Sequence, residues 1–178
     1  QAGAGQNPAR QVALGAGLPV SIPCTTINKV CGSSLKAAMM AANSIRAGEY
    51  KAIVAGGMES MSNAPQLLMG QRKGAKMGSS TLIDSMIHDG LWDVYNDVHM
   101  GLTGETVAKE CNISRDDADQ FALRSQQRAA NAWEQGWFDW ETFSIEVPQR
   151  RADPLSFTSD EGVRGQTTLD SLGKLRPA

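Results

Sequence analysis

Between Asn112 and Gly136, the residues Ala118, Phe121, Ala122, Ser125, Ala129, Ala132 and Trp133 recur at helical spacing along one face. Ser114, with Asp117 three residues on, resembles a capping box in which Asp replaces Glu, and Gly136 stops the helix. A second helix is predicted over LKAAMMAANSIRAG, closed by Gly48. Apolar or small residues occupy almost every side of it, which predicts a buried helix. A third opens at NPARQVALGAG, with Asn7 as N-cap and Pro8 at the first helical position. Gly17 closes it and Pro19 forbids continuation. Between these helices, PCTTIN is short and β-branched and reads as a strand. YKAIVAGGMES reads as a buried strand over 52–55, ending in a glycine pair. Helix, strand, helix, strand is the order of a layered α/β sheet.

After Met58 the pattern changes. SNAPQLLMGQRKGAKMGSS is irregular, punctuated by Gly and Ser, and carries the local cluster Arg72, Lys73 and Lys76. FSIEV alternates and predicts a strand, whereas residues 150–165 are turn-rich and polar. The chain has no internal repeat and no low-complexity tract.

Composition narrows the classes without choosing one. The 178 residues suffice for one domain or parts of two. Seventeen basic against nineteen acidic residues give a net charge of −2, which offers no reason to expect nucleic acid as a partner. No apolar run is long enough to span a bilayer and no secretory signal opens the chain, so no membrane partner is expected. Cys24, Cys31 and Cys111 are odd in number, lack CxxC spacing and have only His88 and His99 beside them. Neither a metal site nor a disulfide framework is expected, and a reducing, cytoplasmic setting is the default. The chain opens QAGAGQ without methionine and ends LGKLRPA, so both ends are expected to be cuts through a longer protein.

The candidate chemistry lies at Cys31. It falls where an extended segment turns into a helix, so its sulfur would sit beside the first unpaired amides. Those amides and the helix dipole favour thiolate over thiol. Gly32, Ser33 and Ser34 have little bulk, leaving room for a carbonyl whose developing oxyanion an amide could hold. Strand, sharp turn, nucleophile, helix is the mechanical idea of a nucleophile elbow. Against this stands the plain reading of Cys31 as a small buried residue, which the spacing alone favours.

INKVCGSSLKA, then IVAGGMESMSNAP, then HDGLWDVYNDVHMG resemble the thiolase family, and within it the acetyl-CoA acetyltransferases most of all. QAGAGQNPARQVALGAGLP upstream and TTLDSLGKLRPA downstream resemble the same family in the same order, so the resemblance covers essentially the whole chain. It implies a layered αβαβα fold. Residues 1–60 would belong to the N-terminal α/β half-domain with the nucleophile, and residues 61–178 to a loop domain that binds coenzyme A.

The resemblance also implies a reaction. Cys31 would carry an acyl group taken from one acetyl-CoA, and the enolate of a second would attack it to give acetoacetyl-CoA, or the reverse. Coenzyme A thioesters would be substrates, with no resident cofactor and no metal. Asn28 would shape the turn before the nucleophile. His99 and Met100 would line the pantetheine and acyl pocket, although a lone histidine is equally read as a satisfied core residue. Leu91 would form another apolar wall. Arg164 would meet the nucleotide end of coenzyme A, and Ser171 would lie near the pantetheine. Gly162 departs from the family, which commonly has an aromatic residue there. The Arg72, Lys73 and Lys76 loop reads as a solvated loop or, by the resemblance, as the one through which dimers form homotetramers. The family's catalytic histidine, water-holding asparagine and second cysteine lie in NEA-, GHP- and CGGG-type motifs, which do not occur in this sequence. Two other functions stay open: a degradative 3-ketoacyl-CoA thiolase of broader chain length, and a non-enzymatic acyl-CoA or lipid-binding relative.

Overall fold

The computed structural model describes residues 2–177. Helices and strands are mixed along the chain, as expected of an α/β protein, and backbone contacts divide it into two units, Gln1–His99 and Met100–Ala178.

In the first unit, α1 spans Pro8–Gly15, and the Asn7 side chain accepts from the Arg10 amide at its start. Asn7 does more than cap. Its Nδ2 donates to the Cys24 carbonyl at 3.0 Å, while its Oδ1 accepts from the Thr26 hydroxyl at 2.7 Å. Arg10 donates to the carbonyls of Val20 and Ile22. The segment expected to be a strand, 23–28, is not paired in a ladder. The N-cap side chain of Asn7 holds its Cys24 carbonyl, and Arg10 of α1 holds the carbonyls just before it.

α2 spans Ser33–Arg46, and Gly48 follows with φ 77°, the left-handed conformation that closes a helix without a Cβ clash. The expected burial is not found. No residue of α2 is buried, and Leu35, Met39, Met40 and Ile45 are exposed, Leu35 by 70%. The second expected strand, 52–55, is likewise unpaired, with Val54 95% exposed. A buried strand needs ladders on its edges and cover on its faces, and among the described residues no segment supplies either.

The strands that do form pair locally. β1 (Gln66–Leu68) and β2 (Leu82–Asp84) are antiparallel, with Leu67 opposite Ile83. Ser85, buried just after β2, donates from Oγ to the Pro65 carbonyl at 2.7 Å. A π-helical turn over Ile87–Leu91 leads into β3 (Trp92–Asp93), which pairs with β4 (Val98–His99).

The second unit is built on α3 (Met100–Glu110) and α4 (Arg115–Glu134). The α4 capping box forms as expected: Ser114 accepts from the Asp117 amide at 3.1 Å, and the Asp117 carboxylate accepts from the Ser114 amide at 3.3 Å. The covered face is rotated from the expected one. Ala132 is buried and Ala122, Ala129 and Trp133 are half-buried, but Phe121 is exposed, with the Arg124 guanidinium 5.4 Å from its ring centre. Trp133 stacks obliquely on Phe138 at 5.2 Å, folding the chain back beyond Gly136. FSIEV contributes β5 (Ile145–Val147), as expected. It pairs with β6 (Leu155–Phe157), which lies inside the stretch read as turns alone. α5 (Leu169–Gly173) packs against α4.

Candidate active site

Cys31 is exposed and stands two residues ahead of the first residue of α2, with Gly32 at the N-cap position. The turn that delivers it is tightly bonded. Asn28 Oδ1 accepts from the Val30 amide at 2.8 Å, as expected of a turn-shaping residue. The Ser33 hydroxyl accepts from the Lys29 amide at 2.9 Å and donates to the Val30 carbonyl at 2.6 Å. The Gly32 amide donates to the Lys29 carbonyl at 3.0 Å, and the Ser33 amide to the Val30 carbonyl at 3.2 Å. Within this cage Val30 sits at φ 49°. A β-branched side chain rarely adopts that conformation, because Cβ crowds the following carbonyl.

The amide after the cysteine, that of Gly32, is thus occupied within the turn. Among the described residues, the amides of Ser34 and Leu35 have no protein acceptor and remain available at the helix start. Any oxyanion at this end of α2 would meet those two donors in preference to that of Gly32. The glycine pair also reaches the site. A Cβ on Gly57 would collide with Ser34 Oγ and lie 3.3 Å from Ser34 Cβ, so GGMES approaches the first turn of α2 closely enough that any larger residue at 57 must shift the Ser34 side chain.

His99 lies on the β3–β4 hairpin, and Leu91 immediately precedes it. Leu91 is half-buried at the end of the π-helical turn, and the next residue, Trp92, pairs with His99. His99 is exposed, and Met100, also exposed, begins α3. The hairpin loop is held by Asp93, whose carboxylate accepts from the Asn96 side chain at 2.7 Å and from the Tyr95 amide at 2.9 Å. Those bonds, the Asn96 side chain first, hold the Asp93 carboxyl below its usual range. Trp92 Nε1 donates to Asp97 at 3.1 Å across the same loop.

Arg164 and Ser171 share the segment after β6. The Arg164 amide donates to Gln126 Oε1 on α4 at 2.6 Å, and a Cβ on Gly165 would lie 3.0 Å from Ala130 Cβ. Close contact with α4 therefore fixes this loop, while the Arg164 side chain remains exposed. Ser171 is exposed at α5 and its hydroxyl is already used in a capping box. It accepts from the Thr168 amide at 3.1 Å and donates to the Thr168 carbonyl at 2.7 Å. Arg115 ties the same segment down, donating to the Leu172 and Leu175 carbonyls while pairing with Asp119 at 2.9 Å.

The structure places His99 on the β3–β4 hairpin with Leu91 just before it, and Arg164 and Ser171 on the segment from β6 through α5. Cys31 stands on its own turn. Sequence reasoning missed Val30 and Gly57, and read Ser33 only as a small neighbour, not as a hydrogen-bonding one. For Gly57 the glycine pair was a visible signal; for the other two the signal was only that polar residues flank the cysteine.

Comparison with known proteins bears on the whole length. The description "Thiolase, N-terminal domain" matches residues 1–178. An acetyl-CoA acetyltransferase of Cupriavidus necator is 56% identical over 177 residues, covering 99% of this chain and 45% of that protein. A probable acetyl-CoA acyltransferase of Staphylococcus epidermidis is 55% identical over 178 residues, and an acetyl-CoA acetyltransferase of Pseudomonas aeruginosa is 53% identical over 177. In each case the chain spans 45% of the relative's length. With every residue inside the family match, and identities above half, the chain belongs to the thiolase family and carries its N-terminal domain.

Proposed function

We propose that the protein to which this domain belongs is an acetyl-CoA C-acetyltransferase, and that Cys31 is its acyl carrier. In the first half-reaction the Cys31 sulfur attacks the acetyl-CoA carbonyl. A new carbon–sulfur bond forms, the bond to coenzyme A breaks, and the departing thiol takes the proton. A second acetyl-CoA loses an α-proton, and its enolate attacks the acetyl-cysteine to give acetoacetyl-CoA; the Cys31 thiolate leaves and takes up the proton given up by the second substrate. The observation that carries this reading is a cysteine two residues before α2, a helix whose Ser34 and Leu35 amides have no protein acceptor among the described residues, in a chain of the thiolase family.

The remaining assignments follow the family resemblance. Leu91, His99 and Met100 line the pantetheine and acyl pocket. Arg164, whose guanidinium has no protein partner among the described residues, takes the nucleotide end. Ser171 is left with one lone pair, so it can accept from a pantetheine amide but not donate to it. Residues 1–60 serve as the nucleophile half-domain and 61–178 as the coenzyme A loop domain. The exposed loop with Arg72, Lys73 and Lys76 joins dimers into a homotetramer. Substrates are coenzyme A thioesters, no resident cofactor takes part, and the setting is cytoplasmic. No described helix is long and apolar enough to cross a membrane.

The test is covalent trapping in the complete protein. Acetyl-CoA should add one acetyl group at Cys31, seen by intact mass and peptide mapping, and Cys31→Ala should remove both the adduct and at least 1,000-fold of the turnover. Acetylation of the Cys31→Ala protein at another cysteine would sink the assignment.

A further inference from the structure

The turn before Cys31 spends three side-chain hydrogen bonds on holding one residue in an unfavourable conformation. Both polar backbone groups of Val30 are engaged: its amide by Asn28 Oδ1 at 2.8 Å, its carbonyl by Ser33 Oγ at 2.6 Å. The same Ser33 oxygen accepts from the Lys29 amide at 2.9 Å, closing a ring from Lys29 to Ser33 around Cys31. Val30 is 63% exposed, so its φ of 49° is not imposed by packing of its side chain. Strain kept by hydrogen bonds alone, at the residue before a reactive group, is characteristic of a preorganised site.

We propose that Ser33 is a positioning residue for Cys31: its hydroxyl latches the turn so that the sulfur is presented ahead of the free Ser34 and Leu35 amides. Ser33 touches no reacting atom. Its effect passes through the Val30 peptide, which bears the strain, to the cysteine. Without the latch the Val30 backbone relaxes to negative φ, and the Cys31 Cα–Cβ bond swings away from the helix start. This inference rests on Cys31 being the acyl carrier.

The experiment measures acetylation of Cys31 by acetyl-CoA and its alkylation by iodoacetamide in the complete protein, each by peptide mapping, with exposed Cys111 as the internal reference. The variants are Ser33→Ala, Ser33→Thr and Ser33→Ala combined with Val30→Gly. Ser33→Ala should acetylate Cys31 about tenfold more slowly with KM nearly unchanged, since orientation and not substrate binding is lost. Ser33→Thr, which keeps the hydroxyl, should recover to within about threefold. Val30→Gly separates the latch from the strain it opposes, because glycine holds a positive φ without cost. Added to Ser33→Ala it should return Cys31 acetylation to within about threefold of the wild-type rate, and Cys111 alkylation should be unchanged throughout. If Ser33→Ala fails to fold, Ser33→Gly takes its place. A folded Ser33→Ala or Ser33→Gly acetylating at the wild-type rate, or a double variant no faster than the single one, would overturn the inference. No acetyl adduct on wild-type Cys31 would instead overturn the proposed function, leaving the alkylation rates to report on the latch.

Discussion

At the residue scale, the site is organised by small groups whose roles are steric. Gly57 is the clearest case. Its place against Ser34 means that a single methyl group must displace the Ser34 hydroxyl and press on its Cβ. Gly57→Ala should destabilise the complete protein by roughly 1–3 kcal/mol, the usual cost of overpacking. Ser34→Gly added to it should return more than half of that, although glycine near a helix start costs up to about 1 kcal/mol by itself. Urea unfolding of the two single variants and the double checks this. Simple additivity of the two losses would show that the contact is not what limits the site. Ser171 illustrates the opposite limit: its hydroxyl is bound into the α5 cap, so any ligand contact it makes is secondary to a structural one.

At the element scale, the helix starts behave as local chemistry predicts. The Asp117 carboxyl is held below its usual range by the Ser114 hydroxyl at 2.6 Å first, and by the Ser114 amide second. Its native pKa therefore lies below its unfolded value, near 3.9. Its contribution is fully present above that value and is lost as pH falls through the lower native one. The helicity of α4 should hold from neutral pH to about pH 5 and fall below about pH 4. Asp117→Asn should flatten that acid limb, as read by circular dichroism during titration, and an unchanged limb would show that other carboxylates control it. Ser114→Ala, which removes the cap acceptor, should cost about 1 kcal/mol at neutral pH.

At the scale of the whole molecule, surface area is decisive. The chain exposes 15085 Å², whereas a folded monomer of 19.0 kDa exposes roughly 8,400 Å². Among the described residues only Ala13 and Ala132 form buried apolar core, while Leu35, Met39, Val54, Trp140 and Phe143 face solvent. So much uncovered apolar surface drives association. The 178 residues produced alone should elute as associated species, bind a hydrophobic dye and cleave no acetoacetyl-CoA. A monodisperse monomer that turned over substrate would contradict both the area argument and the expectation that further catalytic groups lie elsewhere in the enzyme.

The line between what the sequence determined and what tertiary structure decided follows interaction range. Asn7 and Pro8 at α1, Gly48 after α2, and the Ser114–Asp117 box were legible because each rests on bonds or backbone preferences within about four residues. The ordered motifs likewise marked the family, since they require only the one-dimensional sequence. The segments 23–28 and 52–55 were misread as paired strands because composition reports only a preference for extended backbone. A ladder needs a second segment, and at 23–28 the contacts come instead from Asn7, which donates to the Cys24 carbonyl, and from the Ala9 amide, which donates to the Thr26 hydroxyl. The rotated face of α4 depends on the turn after Gly136 and on the Arg164 loop, which lie beyond the helix itself. At Cys31 the sequence supplied the nucleophile and the helix behind it. The left-handed Val30 and the Ser33 latch close within residues 29–33 but rest on a backbone conformation that a β-branched residue disfavours, and the approach of Gly57 to Ser34 emerges only once a second stretch of chain meets the first in space.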